Sequence, residues 1–350
     1  MKLIVNRIKT YKKRLKKQYS WWKYLRLPIG KKVYLIGTPD HSNIGDSAIA
    51  VAEIKFLVQR CPKLCVKEIT YDEIENNRAI IKRIIPQGSV IIGHGGGNIG
   101  NLWYAMEQNR QHMIVDYFQN PIIIMPQTAF FTDDIKGESI KKKTSSVYGN
   151  HSKLTITARD QQSFELLQRM NSRLNVLLCP DIVLSTKKSD YDIAKSKRDG
   201  VLFVFRNDCE KSLENSEIEI LKQILDEMKI KINFSDMISE VPIFKENRKE
   251  IVENKLSEFS KYNLVITDRL HGMVFSAISE TPCIVLGNNH YKVRGTYTWI
   301  SKLPYIQFAN NIDEAINLIP ELMARKECIY DNSPLLPYYN ELERKIKKYL

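Results

Sequence analysis

The first 39 residues of the chain contain no aspartate or glutamate; the first acid is Asp40. The same stretch holds twelve Lys/Arg, which is nearly all of the excess behind a formal net charge of +13. The remaining body is close to neutral, which excludes a protein whose whole surface serves a nucleic acid. No apolar run approaches the roughly 20 residues that a membrane span needs. The apolar residues at the start are too spaced out to form the continuous core of a secretory signal. Cysteine is sparse, with six in 350 residues and none in zinc-ribbon spacing. Cys61 and Cys65, for example, have three residues between them rather than two. That usage reads as buried thiols in a reducing compartment. No metal-ligand cluster is visible. A chain of this length exceeds what one core usually supports, so two domains are expected.

The acid-free segment has a pattern of its own. Val5, Ile8, Tyr11, Leu15, Tyr19, Trp22 and Leu25 recur at steps of three and four, which is helical periodicity with one apolar stripe on a basic remainder. Pro28 should end the helix, because the residue before a proline is pushed out of the α region. A basic amphipathic helix of this kind suits the surface of an anionic membrane. The competing reading docks the stripe on the body and leaves Lys/Arg solvated. A docked helix has no need to exclude every acid, so the membrane surface is preferred, and no nucleic-acid partner is expected. The protein is accordingly placed in the cytoplasm, peripheral on the inner face of the cell membrane.

From Lys31 onward one pattern repeats: a short apolar run, a turn containing Gly, Asp or Asn, then an amphipathic stretch. Runs such as Val90-Ile91-Ile92 and Ile122-Ile123-Ile124 lack alternation and read as strands buried on both faces, hence a parallel sheet between helices. A polar stretch from about Ser185 to Asp199 reads as a linker, and a second series begins at Val201. The expected fold is α/β, with two doubly wound Rossmann-like domains facing a cleft. The basic helix takes residues 1–28, the two domains 29–186 and 199–330, and a helical tail 331–350. In such sheets ligands bind beyond the carboxyl ends of the strands, so chemistry is sought in the strand-to-helix turns.

Four turns stand out. In Gly37–Asp46, Asn43 and Asp46 fall at a helix start, where Asp46 either caps N–H groups or meets a substrate. In Gly93–Gly100, five glycines in eight residues bring backbone close to a ligand or to a packed neighbour. There is no clean G-x-G-x-x-G with an acid about 20 residues on, so dinucleotide binding is disfavoured. Arg159, in Ala158-Arg159-Asp160, either aims its fork into the cleft or forms a surface ion pair with a neighbour such as Asp160. Val265–Gly272 runs a buried strand into Arg269-Leu270-His271-Gly272, setting a fixed cation beside a group that exchanges protons near neutral pH. A core role for His271, satisfied by a backbone carbonyl, is the alternative. His290, Lys292 and Arg294 add positive charge after the next strand.

Taken in order, Asn43-Ile44-Gly45-Asp46, Gly95-Gly96-Gly97-Asn98, Ala158-Arg159-Asp160, Pro180-Asp181, Arg269-Leu270-His271-Gly272 and Tyr291-Lys292 resemble the polysaccharide pyruvyl transferase family. The resemblance implies a two-domain fold similar to the glycosyltransferase B architecture, and transfer of a pyruvyl group from phosphoenolpyruvate to a sugar as a ketal. In its terms His271 looks like the catalytic acid/base, with Arg159 and Arg269 beside it as donor ligands. Leu270, Gly272 and Lys292 would join the donor site. Asn43, Asp46, His94, Gly96, Gly97 and Asn98 would line the cleft on the acceptor side. The implied partners are phosphoenolpyruvate and a sugar or lipid-linked oligosaccharide; no cofactor is called for, and the oligomeric state is not legible. The leading helix lies outside the shared pattern. Two rivals remain: a nucleotide-sugar-dependent glycosyltransferase of similar fold, and a non-catalytic membrane-associated scaffold.

Overall fold

A computed structural model describes residues 15, 18–22, 32–62, 64–193, 196–206, 213–287 and 291–350. Two parallel sheets account for the described strands. The first contains β1 (Lys32–Thr38), β2 (Cys65–Thr70), β3 (Val90–Gly93), β4 (Gly96–Gly100), β5 (Ile122–Phe130), β6 (Leu154–Ala158) and β7 (Asn175–Leu178). Its order is β2-β1-β3-β5-β6-β7, with β4 also pairing with β5. The second contains β8 (Val201–Val204), β9 (Ile232–Ser235), β10 (Leu264–Thr267), β11 (Cys283–Leu286) and β12 (Ile306–Ala309), in the order β12-β11-β10-β8-β9. Every ladder is parallel, as unbroken runs such as β3 and β8, buried at each position, require.

The Gly-rich segment departs from the expected turn, because residues 96–100 form strand β4. β3 runs beside Ile122–Ile124 of β5, and β4 then runs beside Gln127–Phe130 of the same strand. Pro126 lies at the break between the two registers, where it has no N–H to give to a ladder. The glycines permit the tight approach: a Cβ at Gly95 would sit 2.8 Å from the Pro126 carbonyl oxygen, and one at Gly100 would overlap that of Phe130. Gly100 also has φ +125, a conformation that side chains disfavour.

In each sheet the strand order reverses once. The reversal lies between β1 and β3 in the first and between β8 and β10 in the second, and each opens a crevice at the carboxyl strand ends. The two halves are joined firmly around these crevices. Helices Ile44–Arg60 and Arg248–Phe259 contribute Ala48, Ile49, Phe56, Val252 and Leu256 to one apolar cluster that runs through both halves. Helix Leu336–Lys347 returns from the second half to the first, where Tyr339 packs in that cluster and Arg60 bonds Glu343 at 2.7 Å. Backbone also crosses over: Ile44 N–H donates to Met237 O at 2.8 Å and Ser239 N–H to Ser42 O at 2.7 Å. Buried Arg248 donates across the same boundary to Glu68 Oε1 (2.5 Å) and Pro39 O (2.6 Å). Removing one partner of such a buried pair costs about 3–5 kcal/mol.

The leading helix expected over 1–28 lies outside the described residues, apart from Leu15 and residues 18–22, which are helical. There Trp21 packs on the outer apolar cluster of the first sheet. Leu15, Tyr19 and Trp22, all members of the expected stripe, are exposed. Among the described residues no helix is long and apolar enough to cross a membrane.

Candidate active site

The turn after β1 is shaped by Asn43. Its Oδ1 accepts from Gly45 N–H (2.9 Å) and Asp46 N–H (3.4 Å), making it the cap of helix Ile44–Arg60. Asn43 thus takes the cap, and Asp46 turns its carboxylate toward His41, with Oδ2 3.5 Å from Nε2. Gly45 has a different task. A Cβ there would overlap Nδ1 of His271, so the absent side chain admits an imidazole from the other half of the molecule.

Arg159 follows β6 and is buried, which rules out the surface ion pair. Its Nε donates to Thr128 Oγ1 (2.7 Å) and its Nη1 to Asp181 Oδ2 (2.8 Å). Nη2 lies against Gly97, where a Cβ would come within 2.5 Å. The neighbouring Asp160 caps the next helix through Ser163 N–H (2.8 Å) and accepts from Thr128 Oγ1 (2.9 Å). Helix Tyr291–Ile300 of the second half seals this corner. Gly295 abuts Asp160, Trp299 Nε1 donates to Arg159 O (2.8 Å), and the Tyr291 hydroxyl reaches Ala129 O. Lys292, in the first turn of that helix, reaches the cleft beside Gly97.

At the second crevice Arg269 begins helix Leu270–Ile278 and pairs with Asp236 Oδ1 at 2.5 Å. Asp268 beside it is buried and accepts from Arg206 N–H at 2.9 Å, tying the ends of β8 and β10 together. Burial pushes the Asp268 carboxyl up to about 6, against the Arg206 N–H bond and the charges of Arg206 and Arg269. His271, in the first turn of that helix, directs Nε2 toward Asp181 Oδ2 at 3.7 Å, too far for a hydrogen bond. That nitrogen is buried and accepts no hydrogen bond from, and donates none to, the described residues. Burial lowers the imidazole from its ordinary value, Asp181 and Asp46 oppose this, and Arg159 and Arg206 add to it. The balance favours the neutral ring near pH 7.

These groups line one cleft of about 380 Å³ between the halves. Of the residues expected from sequence, Asn43, Asp46, Gly97, Asn98, Arg159, Arg269, Leu270, His271 and Lys292 are brought together on its wall. Three are placed elsewhere. His94 is held by Glu53 (Nδ1 to Oε2, 2.7 Å) and faces a smaller cavity behind the cleft. Gly96 is a strand residue with φ +134, and Gly272 is pressed against the Thr267 side chain. Arg294 stacks on the Phe308 ring at 4.3 Å, and His290 lies outside the described residues. Arg206, Trp103 and His41 also line the cleft, although no role was expected of them. Arg206 stands at the end of β8, so the strand-end rule that singles out Arg159 would have found it. Trp103 follows β4 in an irregular turn and had no periodic signal.

Fold and cleft define the class: an α/β protein of two doubly wound parallel sheets, with its cleft at facing switch points. A family model described as polysaccharide pyruvyl transferase matches residues 43–290, and the chain belongs to that family. It is 33% identical over 319 residues to "General stress protein 30" of Bacillus subtilis, covering 88% of this chain and 91% of that protein. It is 28% identical over 310 residues to "Pyruvyl transferase 1" of Schizosaccharomyces pombe, covering 83% and 76%. A crystal structure from Listeria monocytogenes named "putative UDP-N-acetylglucosamine 2-epimerase" superposes with a TM-score of 0.56 at 12% identity, covering 92% of this chain and 97% of that one; that likeness concerns the fold alone.

Proposed function

We propose that this protein transfers the pyruvyl group of phosphoenolpyruvate to two hydroxyls of a sugar in a cell-surface or exopolysaccharide precursor, forming a ketal. The observation that carries this reading is the convergence of Arg159, Arg206, Arg269 and Lys292 on the one cleft that His271 also lines. Phosphoenolpyruvate bears a carboxylate and a phosphate, and forked guanidinium donors match both. A proton delivered to its methylene carbon makes a methyl group and leaves the adjacent carbon electron-poor. One sugar hydroxyl bonds to that carbon and gives up its proton. A second hydroxyl then displaces phosphate. Of the two hydroxyl protons released, one replaces the proton placed on the methyl group and the other leaves with phosphate. A single histidine that both gives and takes protons therefore closes the cycle.

The acceptor sugar enters from the side of Asn43, Asp46, Asn98 and Trp103, where hydroxyl partners stand next to a half-exposed indole face. The leading segment holds the enzyme at the cytoplasmic face of an anionic membrane, where lipid-linked acceptors present their sugars. The exposed Leu15, Tyr19 and Trp22 on an acid-free, Lys/Arg-rich stretch support that placement. The deciding experiment incubates the protein with phosphoenolpyruvate and nitrophenyl or lipid-linked sugars, following phosphate release and product mass. Phosphate release together with a pyruvyl-ketal product is expected. Turnover of a nucleotide sugar without phosphoenolpyruvate would replace this reading with a glycosyltransferase.

A further inference from the structure

Buried behind the cleft wall, Asp181 touches two of the groups that line it and has no assigned task. Its Oδ1 accepts from Val183 N–H (3.0 Å), and its carbonyl accepts from the hydroxyl of Tyr339 (2.8 Å) on the returning C-terminal helix. The side chain is 1% exposed. It is thus fixed from behind, and only the partners of Oδ2 can change. Two groups compete for that oxygen. Arg159 Nη1 holds it at 2.8 Å, and His271 Nε2 waits at 3.7 Å with no hydrogen bond. Arg159 in turn presents Nη2 to the cleft beside Gly97 and Lys292.

Resting on the phosphoenolpyruvate reading, we propose that Asp181 is a positioning residue whose carboxylate passes from Arg159 to His271 when the anionic donor binds. The donor supplies Arg159 with new acceptor oxygens, which weakens the claim of Arg159 on Asp181. Oδ2 then accepts a hydrogen bond from Nε2–H, and the ring takes up one proton from solvent at Nδ1. The other charges facing the ring are Asp46 from the first helix and Arg206 from the end of β8, with Arg269 one residue before Leu270 on the ring's own element. Those charges act in opposite directions, and burial favours the neutral ring. An added anion and a shared carboxylate reverse that balance, so the ring becomes charged together with the arrival of an enol to protonate.

The test is a histidine-resolved NMR titration of the whole chain, with His271 assigned through His271→Gln. The spectra are recorded with and without phosphoenolpyruvate, for the wild type and for Asp181→Asn. In the wild type the donor should move the His271 pKa upward by about one pH unit or more, as an opposite charge at short range does. In Asp181→Asn the same addition should produce less than half of that shift, because the donor's own charge remains but the carboxylate does not. Should the asparagine variant fail to fold, Tyr339→Phe loosens the same residue by one hydroxyl, and the donor-induced shift should again shrink. Equal shifts in wild type and variant, or donor binding with no shift, would overturn the inference while leaving the donor reading intact. A wild-type spectrum unmoved by phosphoenolpyruvate at any pH would remove the donor reading, and this inference with it.

Discussion

Arg159 and Arg269 occupy equivalent places, each just beyond the end of a buried strand, yet they are held in opposite ways. Arg159 is gripped at Nε by Thr128 and at Nη1 by Asp181, and its carbonyl is pinned by Trp299. Thr128 and Asp181 belong to the first half and Trp299 to the second, and the ion pair is fully enclosed, with side chains 4% and 1% exposed. The counterion of Arg269 is Asp236, whose side chain is 43% exposed, and its Nε reaches Phe205 O only at 3.5 Å. One cation is held in place through Thr128 and its pinned backbone, and only its bond to Asp181 is open to exchange when an anion arrives. The other has a solvent-screened partner that a ligand can replace at small cost. On the proposed reading, the first sheet fixes the donor, and the second supplies an adjustable cation and the imidazole.

The largest test removes the group that stands between the two. His271→Ala should lower turnover by ~10²–10⁴, the range for loss of a general acid–base, with phosphoenolpyruvate affinity largely retained. Steady-state kinetics beside calorimetry would show it, and near wild-type turnover in a folded variant would sink the assignment. Gly45→Ala attacks the same imidazole from the first half, since the added methyl meets its Nδ1. Overpacking of that kind costs about 1–3 kcal/mol, so a lower Tm is expected, with a loss of turnover that exceeds any loss of donor affinity. A variant as active as the wild type would mean that the two halves separate more freely than the packed cleft implies.

Next come the cations themselves. Arg159→Lys keeps the charge but cannot hold Thr128 through one nitrogen and meet a ligand through another, so donor affinity should fall about 10-fold or more, the worth of a charged hydrogen bond. Arg269→Lys loses a looser arrangement and should cost only a few-fold, on the order of 1 kcal/mol or less. Calorimetry with phosphoenolpyruvate on both variants ranks them. Equal losses would erase the distinction between a fixed and an adjustable cation, and unchanged affinity in both would remove them from the donor site.

Much of this was legible beforehand where one physical rule acts locally. Unbroken apolar runs gave β10 and β11 at the observed bounds, because a strand buried on both faces has no other composition open to it. Strand-end turns gave Arg159, Arg269 and His271 for the same reason: a parallel sheet leaves its ligands nowhere else to bind. Where two elements must meet, the sequence is silent. Gly45 reads as part of a helix start, and only the assembled halves show that it makes room for His271. The Gly93–Gly100 run was open to a ligand or a packed neighbour; Gly95 and Gly100 serve the close approach of β4 to β5, while Gly97 makes room for Arg159. Asp181 was visible within a motif without a task, because its task depends on Arg159, His271 and Tyr339 arriving from three distant segments.

The smallest expected effect on catalysis comes from the segment that belongs to neither sheet. Removing residues 1–27 should leave donor affinity and turnover of a soluble sugar acceptor nearly unchanged, since the described residues that line the cleft begin at His41. Its effect should appear on membranes instead. Each Lys/Arg near an anionic surface contributes ~1 kcal/mol, fading within a Debye length of about 8 Å at physiological salt. With no acid before Asp40, every charge in the segment pulls the same way. Leu15, Tyr19 and Trp22 are exposed and able to enter the headgroup layer, while Trp21 holds the segment to the body. Flotation with phosphatidylserine vesicles should therefore recover the full chain at low salt, release it at high salt, and fail to recover the truncated form. If the full chain ignores such vesicles, the exposed stripe is not a membrane contact. If the truncated chain unfolds, the Trp21 contact is structural, and the sharp division between a catalytic body and a targeting segment does not hold.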